Sequence, residues 1–192
     1  GLMRTGTNWQ FASTSRVDLE REARLLKEGA IRDENLGIEL PVPQGWTPHI
    51  LRGQYTLLAA LLGPDPVADM GLVVIDLPRK VAIAEIVEGQ AKVMPLLGGS
   101  YQVTSKAETT LAGRPAYEVT SLSTLGEVTL RTHELYCTDD TEAGPVLYVL
   151  AYTADTEEVY SRLHPAFDQV RQGVKIGKAA ERFAIHVKGQ EI

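Results

Sequence analysis

The run Val146-Leu147-Tyr148-Val149-Leu150-Ala151-Tyr152-Thr153 decides the fold. It is nearly all apolar and rich in β-branched and aromatic residues, which suits a central strand buried on both faces. Directly before it, Thr138 to Gly144 is polar and reads as a loop. Before that, Glu127 to Cys137 reads as another strand opening after Gly126. A short turn between consecutive strands makes them antiparallel neighbours.

The same pattern continues toward the N-terminus. Tyr101 to Thr110 and Pro115 to Leu122 alternate around the turn Ala112-Gly113-Arg114. Met70 to Leu77 is an apolar run closed by Pro78, and Gln54 to Leu62 is bounded by Gly53 and by Gly63-Pro64-Asp65-Pro66; both read as strands. Ile38 and Leu40 mark a short strand that Pro41 and Pro43 confine to a sheet edge. Gly45 permits a turn that sets Trp46 against the body.

Three stretches carry helical periodicity. Ile83, Val87, Met94 and Leu97 predict a helix over Val81 to Leu97, ending at Pro95 and Gly98-Gly99. Val159, Leu163, Phe167, Val170 and Val174 form the stripe of a last helix. Asp155 and Glu158 have the spacing of a capping box there, and Pro165 should kink or split that helix. Leu19, Ala23, Leu26 and Ala30 predict an amphipathic helix from Ser15 to Ala30. Packing on its own domain is the favoured account of that helix, ahead of a partner-docking arm, because an apolar stripe must be buried somewhere. Phe183 to Val187 adds a short terminal strand.

These elements predict one α+β domain, a largely antiparallel sheet flanked by helices on both faces. The expected divisions are a flexible segment over 1–15, a helix and linker over 16–36, the α/β/α body over 37–176, and a tail over 177–192. The 192 residues suit a single domain, and 44% apolar with 23% charged residues is ordinary for a globular chain. The net charge of −6 is spread along the chain, and Arg79-Lys80 is the only adjacent basic pair. No basic patch exists to displace phosphate counterions, so nucleic acid is excluded as a partner. No apolar run approaches the ~20 residues a membrane-spanning helix requires. The leading Gly1 resembles a processing scar, so an export signal is expected upstream of it.

The search for chemistry is mostly negative. Gly98-Gly99 and Gly113 lack the spacing of a phosphate loop, and no Gly-x-Ser-x-Gly elbow occurs. The one constellation to weigh is His133, Glu134, Cys137, Asp139, Asp140 and Glu142. His133 and Cys137 are credible metal ligands beside a carboxylate cluster. In a strand, though, they stand ~13 Å apart, too far to share one ion. A solvated hairpin loop is the favoured account of the acidic run. Cys137 could act as a nucleophile with His133 as base, but a lone strand-end cysteine is better read as a small buried hydrophobe. Trp46, Tyr117, Tyr136, Tyr148 and Tyr152 could line a pocket, with core filling favoured. No catalytic, cofactor-binding or metal residue is assigned, and no cofactor is expected.

Three motifs in order carry a resemblance. Leu40-Pro41-Val42-Pro43-Gln44-Gly45-Trp46 opens the body. The hairpin Leu111-Ala112-Gly113-Arg114-Pro115-Ala116-Tyr117-Glu118-Val119 follows the Val81 to Leu97 helix. Leu147-Tyr148-Val149-Leu150 then feeds a closing helix with Phe167. Over residues 37–176 the chain resembles the PsbP-like superfamily, and most of all its LpqN-type actinobacterial lipoproteins. The resemblance implies an antiparallel sheet between helices and no reaction to transfer. It implies an extracytoplasmic binding or accessory protein of the bacterial cell envelope, held to a membrane only through an N-terminal lipid anchor. The expected partner is a protein or an apolar small ligand. The chain departs from that pattern in having no cysteine near Gly1. A cytoplasmic adaptor or secretion chaperone on the same scaffold is the alternative, and a metal-dependent or hydrolytic enzyme using the His133 to Glu142 region is a third reading.

Overall fold

The central strand lies where its sequence puts it, fourth of seven in an entirely antiparallel sheet. The computed structural model describes residues 2–5, 8–11, 26–27, 29–33, 37–52, 56–65, 67–96, 98–141 and 144–177. Its large sheet comprises β6 (Thr47–Arg52), β7 (Thr56–Leu62), β8 (Asp69–Asp76), β9 (Gly99–Leu111), β10 (Arg114–Leu125), β11 (Val128–Thr141) and β12 (Gly144–Ala154). Their order is β6-β7-β8-β12-β11-β10-β9. The helix α1 (Ile83–Leu96) joins β8 to β9, and α2 (Glu157–Gly173) follows β12.

A second sheet, order β13-β5-β4-β3, brings together β3 (Leu26–Lys27), β4 (Ala30–Asp33), β5 (Ile38–Pro41) and β13 (Lys175–Ile176). A hairpin of β1 (Leu2–Thr5) and β2 (Asn8–Phe11) stands where a flexible segment over 1–15 is expected. The helix expected to reach Ala30 gives way to strand at Leu26–Lys27 and at Ala30, because pairing of β3 with β4 and of β4 with β5 competes with the helical periodicity of Leu26 and Ala30. The rest of that helix, like the Phe183 to Val187 strand, lies outside the described residues.

Side chains along β12 alternate between two apolar clusters. Val146, Tyr148, Leu150 and Tyr152 join Val159, Tyr160, Phe167 and Val170 of α2, with Ile31 and Leu40 of the small sheet. Leu147 and Val149 join Val87 of α1, Val119 of β10 and Tyr136 of β11. Such burial stabilises by roughly 1.5–3 kcal/mol per large apolar side chain. No helix among the described residues is long and apolar enough to cross a membrane.

Several local expectations shift in detail. The Ala112-Gly113 turn has φ of +50° and +75°, both left-handed, which matches the right-handed twist of β9 and β10. Thr47 to Arg52, interrupted by Pro48, forms β6, an edge strand where a missing N–H does no harm. Conversely β5, expected at an edge, lies between β13 and β4. Its Pro41 is accommodated because β13 pairs only with Ile38 and Glu39, leaving Pro41 a neighbour on one side alone. The expected polar loop Thr138 to Gly144 is largely ladder: Thr138 to Thr141 extend β11 and Gly144 opens β12. The cap of α2 is Thr156 rather than Asp155, its hydroxyl accepting from the Val159 N–H at 3.2 Å. Pro165 sits within α2 without splitting it.

Candidate functional site

Two polar groupings interrupt the apolar clusters, one on each side of the large sheet. The first lies beneath α2. Glu118 on β10 and His133 on β11 are diagonal neighbours, since Glu118 pairs with Leu135 and Thr120 with His133. His133 Nε2 donates to Glu118 Oε1 at 2.5 Å, and its Nδ1 lies 3.1 Å from His164 Nε2 on α2. Arg171, also on α2, reaches Glu118 Oε1 at 3.1 Å and Thr109 Oγ1 at 2.8 Å. The Phe167 ring lies tilted at 52° to the His133 ring with centroids 4.9 Å apart, and Arg131 lies over the Tyr160 ring at 4.4 Å.

Burial pulls the Glu118 carboxyl upward, but the His133 hydrogen bond and the Arg171 charge outweigh it and hold the group below its ordinary range. Desolvation holds His133 below the usual histidine value, despite its hydrogen bond to Glu118, which works the other way. Every member of this group is paired, and His133 is buried. The network fastens α2 to the sheet and leaves no nucleophile beside a free base.

The second grouping is a cleft of about 450 Å³ between α1 and the sheet. Gln90, Val93 and Met94 of α1 roof it. Its floor comes from a change in side-chain type along the α1-facing positions of each strand. On β10, Val119 gives way to Ser121 and Ser123; on β11, Tyr136 gives way to Glu134 and Thr132; on β12, Leu147 and Val149 give way to Ala151 and Thr153. Tyr101 of β9 closes one side. A β-bulge between Thr120 and Ser121 breaks the β9–β10 register at the rim, and Thr104 Oγ1 donates there to the Thr120 carbonyl. The extra residue, Thr104, is on β9 and switches the faces of that strand, so that Tyr101 and Val103 face α1 whereas Thr109 faces α2.

Three buried polar atoms of this lining, Tyr101 Oη, Ser121 Oγ and Glu134 Oε2, have no hydrogen-bond partner among the described residues. Tyr101 Oη neighbours Ser121 without hydrogen-bond geometry, and the nearby Tyr136 hydroxyl is turned to Gln90 Oε1 at 3.2 Å. An orphaned buried polar group costs roughly 1–3 kcal/mol. Desolvation pushes the Glu134 carboxyl above its ordinary range. No lysine, arginine or histidine lines the cleft.

The residues singled out in the sequence are dispersed by this arrangement. His133 and Cys137 both face the α2 side, where Cys137 is fully buried and its thiol is pushed up to about 11 by burial. Glu134 points to the opposite side and lines the cleft. Asp139 pairs with Arg114, and Asp140 with Lys80; Glu142 lies outside the described residues. Among the described residues no three His, Cys, Asp or Glu side chains converge on a possible metal position. Trp46, Tyr136, Tyr148 and Tyr152 are core, and Tyr117 packs half-buried on the α1 cluster. The aromatic that does line a cleft is Tyr101, which sequence reasoning missed. The signal for it was Gln90, a polar residue on the apolar stripe of α1.

No family model matches the chain, and no curated protein is near enough in sequence to count as a relative. Solved structures do match in fold. The cyanobacterial PsbP (CyanoP) of Synechocystis sp. PCC 6803 superposes with a TM-score of 0.53 at 12% identity, covering 77% of this chain and 91% of that one. LpqN, involved in cell envelope biogenesis of Mycobacterium tuberculosis, superposes with a TM-score of 0.56 at 15% identity, covering 85% of this chain and 97% of that one. The fold is PsbP-like.

Proposed function

We propose that this chain is a non-enzymatic binding module of the bacterial cell envelope, an extracytoplasmic accessory protein that holds a small ligand in the cleft under α1. The observation carrying this reading is the set of orphaned polar atoms, Tyr101 Oη, Ser121 Oγ and Glu134 Oε2, in an otherwise apolar-roofed cleft. The α2-side network supports the non-enzymatic part, because its histidines and carboxylate are consumed in holding the helix. The envelope placement follows the fold likeness to LpqN, which makes it an argument by analogy. The alternation of β12 between the α2 and α1 clusters supports reading the body as an α/β/α sandwich, and a lipid anchor upstream of residue 1 belongs to the same proposal.

Native mass spectrometry of protein purified from its source organism tests the binding part. A bound small molecule is expected, and it should vanish in Val93→Trp, which fills the mouth of the cleft from an exposed position. Fractionation of cells expressing the full gene tests the location. Recovery in the cytosol bound to a client protein would replace this reading with an adaptor or chaperone.

A further inference from the structure

We propose that the cleft between α1 and the sheet takes a small protonated amine with an apolar body, its ammonium group docked among Glu134, Ser121 and Tyr101. The inference rests on reading the cleft as a binding site and adds the chemical class of its occupant.

The charge of the lining sets the first condition. Glu134 is the only carboxylate in the cleft, and no basic side chain accompanies it. An anionic ligand would meet Glu134 with nothing to neutralise it, whereas a cation supplies the missing counter-charge. Hydrogen-bond inventory sets the second. Glu134 Oε2, Ser121 Oγ and Tyr101 Oη can each accept a hydrogen bond and make none of good geometry among the described residues, although Ser121 adjoins Tyr101 and Glu134 adjoins Tyr136 and Gln90. An ammonium group offers three N–H donors from one atom, matching in number the three acceptors in the lining of this one cleft.

The remaining walls fix the body of the ligand. Val93 and Met94 above and Ala151 below present apolar surface, and a methionine roof adapts to varied shapes. Val93 is half exposed, so one end of the cleft opens to solvent and admits the ligand past it. About 450 Å³ accommodates a compact amine of the size of phenethylamine and leaves little room for a long chain.

Isothermal titration calorimetry and amide chemical-shift mapping with phenethylamine, phenethyl alcohol and hydrocinnamate test the class. The amine is expected to bind with shifts at Ser121, Thr132 and Glu134, at least about tenfold more tightly than the alcohol, and hydrocinnamate not at all. Glu134→Gln, nearly isosteric, should erase the amine's advantage, and Val93→Trp should block every probe. If the alcohol or hydrocinnamate binds in the cleft as tightly as the amine, the amine assignment falls while the binding reading stands. If no probe moves any cleft resonance, both fall.

Discussion

His133 Nδ1 stands 3.1 Å from His164 Nε2, joining the sheet to α2 through two imidazoles. Because His133 already donates through Nε2 to Glu118, its Nδ1 accepts when the ring is neutral, from His164 Nε2 or from the Tyr160 hydroxyl at 3.4 Å. Protonating His133 would set N–H against N–H. Arg171 and Arg131 lie on the same side of the sheet, where Glu118 holds His133 and Arg171, Asp168 faces His164 and Glu157 pairs with Arg131.

Acid should therefore loosen the protein in two stages. The folded state keeps His133 neutral at pH values where the unfolded chain protonates it, so stability falls as pH drops below about 6.5. Glu118 is held below its ordinary range, so the unfolded chain protonates it first, and a second loss begins below about 4.5. Urea midpoints measured across this range should show both declines, and His133→Gln should remove the first. An unchanged slope in that variant would refute the assignment.

Phe167 is fully buried and packs on the rings of His133, Tyr152 and His164. Phe167→Ala should cost about 3–5 kcal/mol by denaturant titration. A loss under about 1 kcal/mol would mean that α2 is not anchored through this ring.

Glu134 behaves in the opposite sense to Glu118. Burial raises its carboxyl, so the folded state resists ionising it and stability is lost as pH rises from about 4.5 through the folded value. Glu134→Gln should make the ligand-free protein more stable than the parent near neutral pH, with the difference vanishing in mild acid. Equal melting curves at neutral pH would contradict this.

Cys137 should be inert to thiol reagents in the folded protein. It is fully buried, and its thiol titrates near 11, so almost no thiolate forms at neutral pH. Ellman's reagent should label it at the rate of global unfolding, rising steeply in denaturant. Rapid labelling of the native protein would overturn the buried placement.

Elements with strong local patterns were legible in the sequence. β12 was visible in its unbroken apolar run, the β9–β10 hairpin in Ala112-Gly113, and α2 in the spacing of Val159 to Val174. What escaped depended on partners distant in sequence. β4 is a strand because β5 pairs with it, and β6 holds Pro48 because it has an edge to spare. The cleft needs the register of four strands to bring Tyr101, Ser121, Glu134 and Thr153 together, and no local rule sets that register. The pairing of His133 with Glu118 was hidden likewise, being a diagonal across two strands.

The pairing of β5 with β13 also governs the order of folding. Ile38 bonds across to Ile176, and Arg114 at the hairpin tip donates to the Ile176 and Gly177 carbonyls at 2.9 and 2.6 Å. Gly37 and Gly177 pass so closely that a Cβ on either would meet the other at 2.9 Å. One of the first strands of the body is thus completed by the last. Contacts this far apart in sequence close large loops and form slowly. A ribosome must release residue 177 before the small sheet can finish, so its first strands wait, half paired, while the whole of the large sheet is made.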